Sequence, residues 1–347
     1  MKSLSRLLLM GVLSCAAMPS SLRAAETGVD RVRAAVGKSM VLIQQSPLIF
    51  FKKAGCVSCH HQSLPAMAVG FARERGFAVD DKKARELNQT VATMMRARRE
   101  TMLQAMTDGA GHHSIAYTLA GMAAQDLPAD ALTDAMTIHM AEGQMPDGYW
   151  STAPDRPPVQ YSDYTTTALG VWSLRKYAPE GRREEFEERV RRAMNWFTTA
   201  GSPVATEEAA FRLLGLGWAR AQASRTAEPT RDLLKRQRAD GGWAQFPTLE
   251  SDAYATGQAL AALRLGGGLA PATRAYQRGL QYLLDTQRED GSWHVKSRAR
   301  PFQPYFESGF PHGKDQWISI CATSWATIAL VLTEEPAGTE PGGKTAE

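Results

Sequence analysis

The chain has only four cysteines in 347 residues and almost no charge excess, with 40 Lys and Arg against 36 Asp and Glu. A chain of this length buries a large core without covalent staples, so scarce cysteine excludes a disulfide scaffold. The formal charge of +4 falls to about +1 once Lys2, Arg6 and Arg23 are removed with a leader, which leaves no electrostatic case for nucleic-acid binding. After the N-terminus no stretch reads as long and apolar enough to span a membrane, so no transmembrane span is expected in the mature chain.

The N-terminus itself is a leader. Met1, Lys2 and Arg6 precede the apolar run LLLMGVLSCAAM, and small residues follow at Ala24 and Ala25. Basic, then apolar, then small is the order of a secretory signal peptide, assigned to residues 1–25. The mature protein is therefore expected to be exported and periplasmic. Val12, Leu13 and Ser14 are a poor approach to lipoprotein cleavage, so anchoring at Cys15 is not expected.

Q-x-x-D-G-x-W occurs three times, at Gln144–Trp150, Gln237–Trp243 and Gln287–Trp293. Each copy follows a helical pattern, and its Asp-Gly step supplies the positive φ that ends a helix and turns the chain. Each copy leads to a second helical segment rich in small and apolar residues: Ser162–Leu174, Ser251–Leu263 and Cys321–Leu332. Similar segments lie at Cys59–Ala72, His112–Ala124 and Ala205–Ala219, spaced mostly roughly 45–55 residues apart, the range of a two-helix repeat. Their partners, such as Glu180–Ala200, are charged and amphipathic. Small-residue helices suit a crowded inner ring and charged ones a solvated outer ring. The expected fold is all-α: an α/α toroid of about six helical hairpins over residues 28–332, with a disordered tail at 333–347.

With these repeats the chain resembles the terpenoid cyclase and protein prenyltransferase superfamily, whose squalene–hopene cyclases carry Q-x-x-x-G-x-W. The resemblance covers roughly 29–332 and implies the toroid. It also implies a protonating D-x-D-D acid, which this sequence lacks. Single acids, Asp163 and Asp252, stand at the starts of two inner helices; they read as helix N-caps, or as a polar ring at one mouth and candidate catalytic acids.

Three cysteines remain after the leader, and two belong to GCVSCHHQ at 55–62. Cys56, Cys59 and His60 form C-x-x-C-H, the attachment pattern of haem c, in which two thiols bond the porphyrin and the adjacent imidazole binds iron. The expected cofactor is haem c, with His112, His113 or His312 as candidate second ligands and Arg298 and Arg300 as partners for propionates. A zinc site on Cys56, Cys59, His60 and His112 is the alternative, in the manner of toroid relatives that hold zinc at the barrel mouth, with Cys321 either joining it or serving as a small buried hydrophobe. Cys59 and Gln62 also have the C-x-x-Q spacing of thioester domains, and a Cys56–Cys59 disulfide is a further reading.

A long segment, His294–Ser319, precedes the last inner helix and is rich in aromatic and basic residues, as a lid or plug over the cysteine-bearing mouth would be. Three functions stay open: a periplasmic haem protein in redox or ligand sensing, with a redox partner; an enzyme acting on an isoprenoid or other apolar small molecule in a cavity lined by Trp172, Trp218, Tyr254 and Trp325; and a non-catalytic binding toroid clasped by the disulfide.

Overall fold

The computed structural model describes residues 20–106, 111–153, 156–301 and 304–337. Its helices are α1 (Ser20–Ala54), α2 (Leu64–Glu74), α3 (Asp81–Arg96), α4 (Arg99–Leu103), α5 (Gly111–Ala124), α6 (Ala131–Glu142), α7 (Asp163–Tyr177), α8 (Arg183–Thr199), α9 (Thr206–Trp218), α10 (Ala223–Lys235), α11 (Ala253–Leu265), α12 (Arg274–Thr286) and α13 (Gln316–Val331). A π-helical turn, Cys59–Ser63, leads into α2. The only sheet among the described residues is a two-residue pairing of Trp243–Ala244 with Ser251–Asp252.

Six helices form a closed inner ring: α2 packs on α5, α5 on α7, α7 on α9, α9 on α11, α11 on α13, and α13 returns to α2. These are the six small-residue segments of the sequence, each within a few residues of its expected bounds. The α/α toroid is therefore the fold. Inner helices are covered on nearly every face; residues 253–263 of α11 are all buried. Outer helices bury one stripe, as in α3 (Ala84, Leu87, Val91, Met95) and α8 (Phe186, Val190, Ala193, Phe197), at the spacing of an amphipathic helix.

The repeated motif works as a clamp at three corners. Trp150, Trp243 and Trp293 donate Nε1–H to Met140, Leu233 and Leu283 carbonyls, 2.6, 2.8 and 2.9 Å away, at the end of the preceding outer helix. Their backbone N–H groups are held by Thr167, Thr256 and Thr323 of the following inner helix. The motif glutamine bonds its own turn and then reaches the next outer helix: Gln144 to Arg189 O, Gln237 to Ala275 O, and Gln287 to Ala35 O. The third bond lands on α1, so α1 is the outer helix that closes the ring.

Glycine is required in each clamp for two reasons. Gly241 has φ +92°, and a Cβ there would lie 2.5 Å from Arg278 O; Gly148 and Gly291 meet the same two constraints. Gly241→Ala should therefore cost more than an ordinary loop change, about 2–3 kcal/mol from φ strain and forced separation of α12. Urea melts of the two proteins measure it, and a cost within about 0.5 kcal/mol would contradict the clamp.

Two expectations change. The stretch Gly28–Ala54 is long and apolar enough to cross a membrane by length and composition, which the sequence reading did not count; half of its apolar window is buried inside the toroid, as an outer helix requires. Residues 333–337 of the expected tail are tied to the ring, with Ala337 N–H on Glu74 O and Glu335 paired with Arg264. Most of the expected leader, Cys15 included, and the end of the expected tail, 338–347, lie outside the described residues, although α1 already begins at Ser20.

Candidate active site

Toward the N-terminal mouth of the inner ring six side chains come together, each bonded to Glu207 or within range of its charge: Cys59 from the π turn, Tyr117 from α5, Thr165 from α7, Glu207 itself from α9, Tyr254 from α11 and Cys321 from α13. Register explains the level. Thr165, Tyr254 and Cys321 each stand two residues before the threonine that holds a clamp tryptophan. Glu207 sits among them: Thr165 Oγ1 donates to its Oε1 at 2.7 Å and Tyr254 Oη to its Oε2 at 3.0 Å. The Tyr117 phenol, across the ring on α5, lies within range of the charges of Glu207, Cys59 and Cys321 and is held protonated chiefly by burial. Only side chains projecting into the centre can meet from opposite helices in this way.

Glu207 is the centre of this chemistry. It is 3 % exposed, and burial lifts its carboxyl from an ordinary 4.5 to about 8, against the hydrogen bonds of Thr165 and Tyr254 and the charge of Arg298, which pull it down. That rise corresponds to about 5 kcal/mol against ionisation. The positive pole of α9 favours the anion by at most about 2 kcal/mol, so burial wins and the group is a neutral acid at pH 7. Glu208, beside it, faces outward and accepts the N–H groups of Val204 and Ala205, capping the helix. The sequence reading missed Glu207. Its only signal, two adjacent glutamates opening a small-residue helix, reads equally well as ordinary capping charge.

Above this layer the rim is basic and aromatic. Arg156 Nη1 lies 3.3 Å from His60 Nε2, and its charge also reaches His113, Cys59 and Cys321. Arg298 donates to Gln245 at 2.8 Å and lies 4.9 Å over the Phe246 ring. Phe50 packs on His60 and His61, Trp317 on His60, and Phe306 on Phe50. The segment 294–319 therefore does cover this mouth, through Arg298, Phe306 and Trp317, whereas Phe302 lies outside the described residues. Burial drives His60 well below the usual histidine range and takes His61 and His113 to about 3, so all three imidazoles are neutral.

The expected site residues divide. Asp252 caps α11 through the Ala255 N–H, accepts from Gln245 at 2.8 Å, and is lifted by burial to about 6. Asp163 is the first residue of α7, with Ser162 as the cap; it accepts the Thr152 N–H at 2.7 Å, and burial raises it. Both belong to the mouth as helix-end groups, and neither enters the central layer. Arg298 joins the rim, but Arg300 is exposed. His113 bonds Thr166 at 2.9 Å and shares Arg156 with His60, whereas its neighbour His112 turns away and stacks on His139 at 4.8 Å. His312 lies beside the third clamp, bonded to Ser292 at 2.7 Å and 4.7 Å from His294. Trp172 and Trp218 stack on each other at 4.7 Å near the C-terminal ends of α7 and α9, so they do not line one cavity with Tyr254 and Trp325.

The residues around C-x-x-C-H do not fit a haem. An iron on His60 Nε2 would occupy the position of the Arg156 guanidinium, and His60 Nδ1 is already 2.5 Å from His61 Nδ1. Zinc finds no shell: among the described residues no three His, Cys, Asp or Glu side chains converge as a metal site needs, and His112 is elsewhere. Cys56, Cys59 and Cys321 are free thiols. Gln62 forms no thioester; it accepts from Ser58 N and Oγ and donates to Pro47 O, which anchors the π turn to α1.

No family model and no curated protein matches the chain. Solved structures do. A variant of the type II terpene cyclase MstE from Scytonema, in complex with geranylgeranyl dihydroxybenzoate as substrate, aligns over 89% of this chain and 99% of its own, with TM-score 0.61 and 14% identity. A glycosidase in complex with glucose covers 85% and 96%, with TM-score 0.55 and 11% identity. A protein from Actinoplanes covers 78% and 90%, with TM-score 0.53 and 15% identity. At these identities the likeness shows the fold alone, a terpene-cyclase-like α/α toroid that the glycosidase shares.

Proposed function

We propose that the protein is a toroid enzyme that protonates an isoprenoid-type, apolar substrate inside the ring, with Glu207 as the acid. The observation that carries this reading is a carboxyl held neutral to about pH 8 at the centre of six converging helices. A proton donor at neutral pH must be protonated and sheltered from water, and burial supplies both conditions. The likeness to a terpene cyclase whose substrate carries a geranylgeranyl chain supports the substrate class. The leader makes the activity an exported one.

In the first step the Glu207 proton passes to one carbon of an alkene. The π electrons form the new C–H bond, and the other alkene carbon becomes a cation. The carboxylate left behind is stabilised by the Thr165 and Tyr254 hydroxyls that already donate to it. Aromatic faces at the ring centre, among them Tyr254 and Trp325, stabilise the cation. A second alkene of the same molecule closes a ring on it, loss of a proton ends the reaction, and the carboxylate recovers its proton.

The test is incubation of the full chain with geraniol, farnesol, geranylgeraniol and squalene in deuterated water. The expected result is a cyclic product carrying one new carbon-bound deuterium. Recovery of all four substrates unchanged would count against the reading.

A further inference from the structure

Resting on that reading of the ring centre, we infer that its floor binds a hydroxyl group of the substrate, so that the substrate is an oxygenated isoprenoid rather than a hydrocarbon. The residues are Tyr117, Gln258 and Trp325. Gln258 stands one turn below Tyr254 on α11, and Trp325 one turn below Cys321 on α13, each on the face that carries the central layer. The two helices touch closely, since a Cβ on Gly257 would fall 2.5 Å from the Trp325 backbone. From α13 the Trp325 ring extends inward to meet Phe211 of α9, edge to face at 5.8 Å, and Phe211 is one turn below Glu207. Tyr117, on α5, lies within electrostatic range of Tyr254, the residue one turn above Gln258.

All three side chains are at most 1 % exposed, yet Tyr117 Oη, both ends of the Gln258 amide and Trp325 Nε1 have no hydrogen-bond partner. The contrast with their neighbours is sharp. The three clamp tryptophans each donate Nε1–H to a carbonyl, and Tyr254 and Thr165 both bond Glu207. Buried polar atoms left unpaired destabilise a fold, and an apolar residue of the same shape removes that cost. A leucine or phenylalanine would serve a core that only had to be filled. Donor and acceptor types then identify the guest. Trp325 offers only a donor, and Gln258 offers a donor and an acceptor. A hydroxyl satisfies both: its oxygen accepts from Trp325 Nε1, and its proton goes to Gln258 Oε1. A hydrocarbon satisfies neither.

The experiment uses the full chain and two probes with one carbon skeleton, α-terpineol and limonene, titrated by calorimetry. The alcohol should bind at least about tenfold more tightly, because a site built to pair a hydroxyl leaves its own groups unpaired when the guest lacks one. Gln258→Leu should erase that preference while keeping limonene affinity, and should raise the Tm of the ligand-free protein. Trp325→Phe, which keeps the ring and removes the donor, should reduce the preference. Equal binding of the probes, no binding of the alcohol, or a preference that survives Gln258→Leu would overturn the inference. The assay reads affinity rather than turnover, so a protein that prefers the alcohol and cyclises nothing would sink the acid reading and leave this one standing.

Discussion

Glu207→Gln should lower turnover by about 10²–10⁴-fold, the range for removing a positioned general acid. Glutamine keeps the shape and an oxygen for Thr165 Oγ1, so the ring should remain assembled. The same substitution should change the pH dependence of stability. The folded carboxyl titrates near 8 and the unfolded one near its ordinary 4.5. The folded protein therefore keeps a proton that the unfolded chain releases, and stability from this group is complete below 4.5 and declines as pH rises to 8. Over that span the wild type should lose on the order of 5 kcal/mol from Glu207. The variant should lose much less and be the more stable protein at pH 8. Urea melts at pH 5 and pH 8 measure this, and parallel curves for the two proteins would contradict a buried neutral acid.

The second large effect runs toward acid. His61 and His113 titrate near 3 when folded and near 6.5 when unfolded. Below pH 6.5 the unfolded chain binds protons that the folded protein refuses, so stability falls as pH drops from 6.5 toward 3, by about 4–5 kcal/mol for each group. His60 shifts in the same direction. Three imidazoles then oppose two buried carboxyls, Glu207 and Asp252, and the acid loss should dominate below about pH 6. His61 lies stacked on Phe50 at 4.3 Å, so His61→Phe should preserve that contact and flatten the acid limb. A wild-type protein equally stable at pH 4 and pH 6.5 would show that these rings are hydrated.

The toroid was legible because its signals are local. Q-x-x-D-G-x-W carries the helix stop, the positive-φ glycine and the packing tryptophan within seven residues, so three copies mark three corners before any long-range contact is known. Small-residue composition marked the inner helices for the same reason, since close approach leaves no room for large side chains. Chemistry was less legible because burial and distant partners create it. Glu207 is held in place by Thr165, 42 residues earlier, and Tyr254, 47 residues later, and its carboxyl is raised, against both of those hydrogen bonds, by a desolvation no local pattern records. What C-x-x-C-H does is not legible from its spacing, which says nothing of what faces the imidazole, and here that is Arg156, 96 residues downstream. His112 and His113 differ by one position on α5 and therefore point to different sides, one to His139 and the other to the mouth. Trp325 reads in the sequence as an aromatic of the cavity or core, and Gln258 carries no local signal; what marks both is the absence of partners around their buried polar atoms.

The protonation state of Glu207 tests the account most directly. Infrared difference spectra of wild type and Glu207→Gln, recorded from pH 5 to pH 9, isolate the carbonyl stretch of a protonated carboxylic acid. The account predicts such a band in the wild type at pH 7, absent from the variant and lost with a midpoint near 8. A Glu207 already ionised at pH 6 would contradict it, because a carboxylate there has no proton to give.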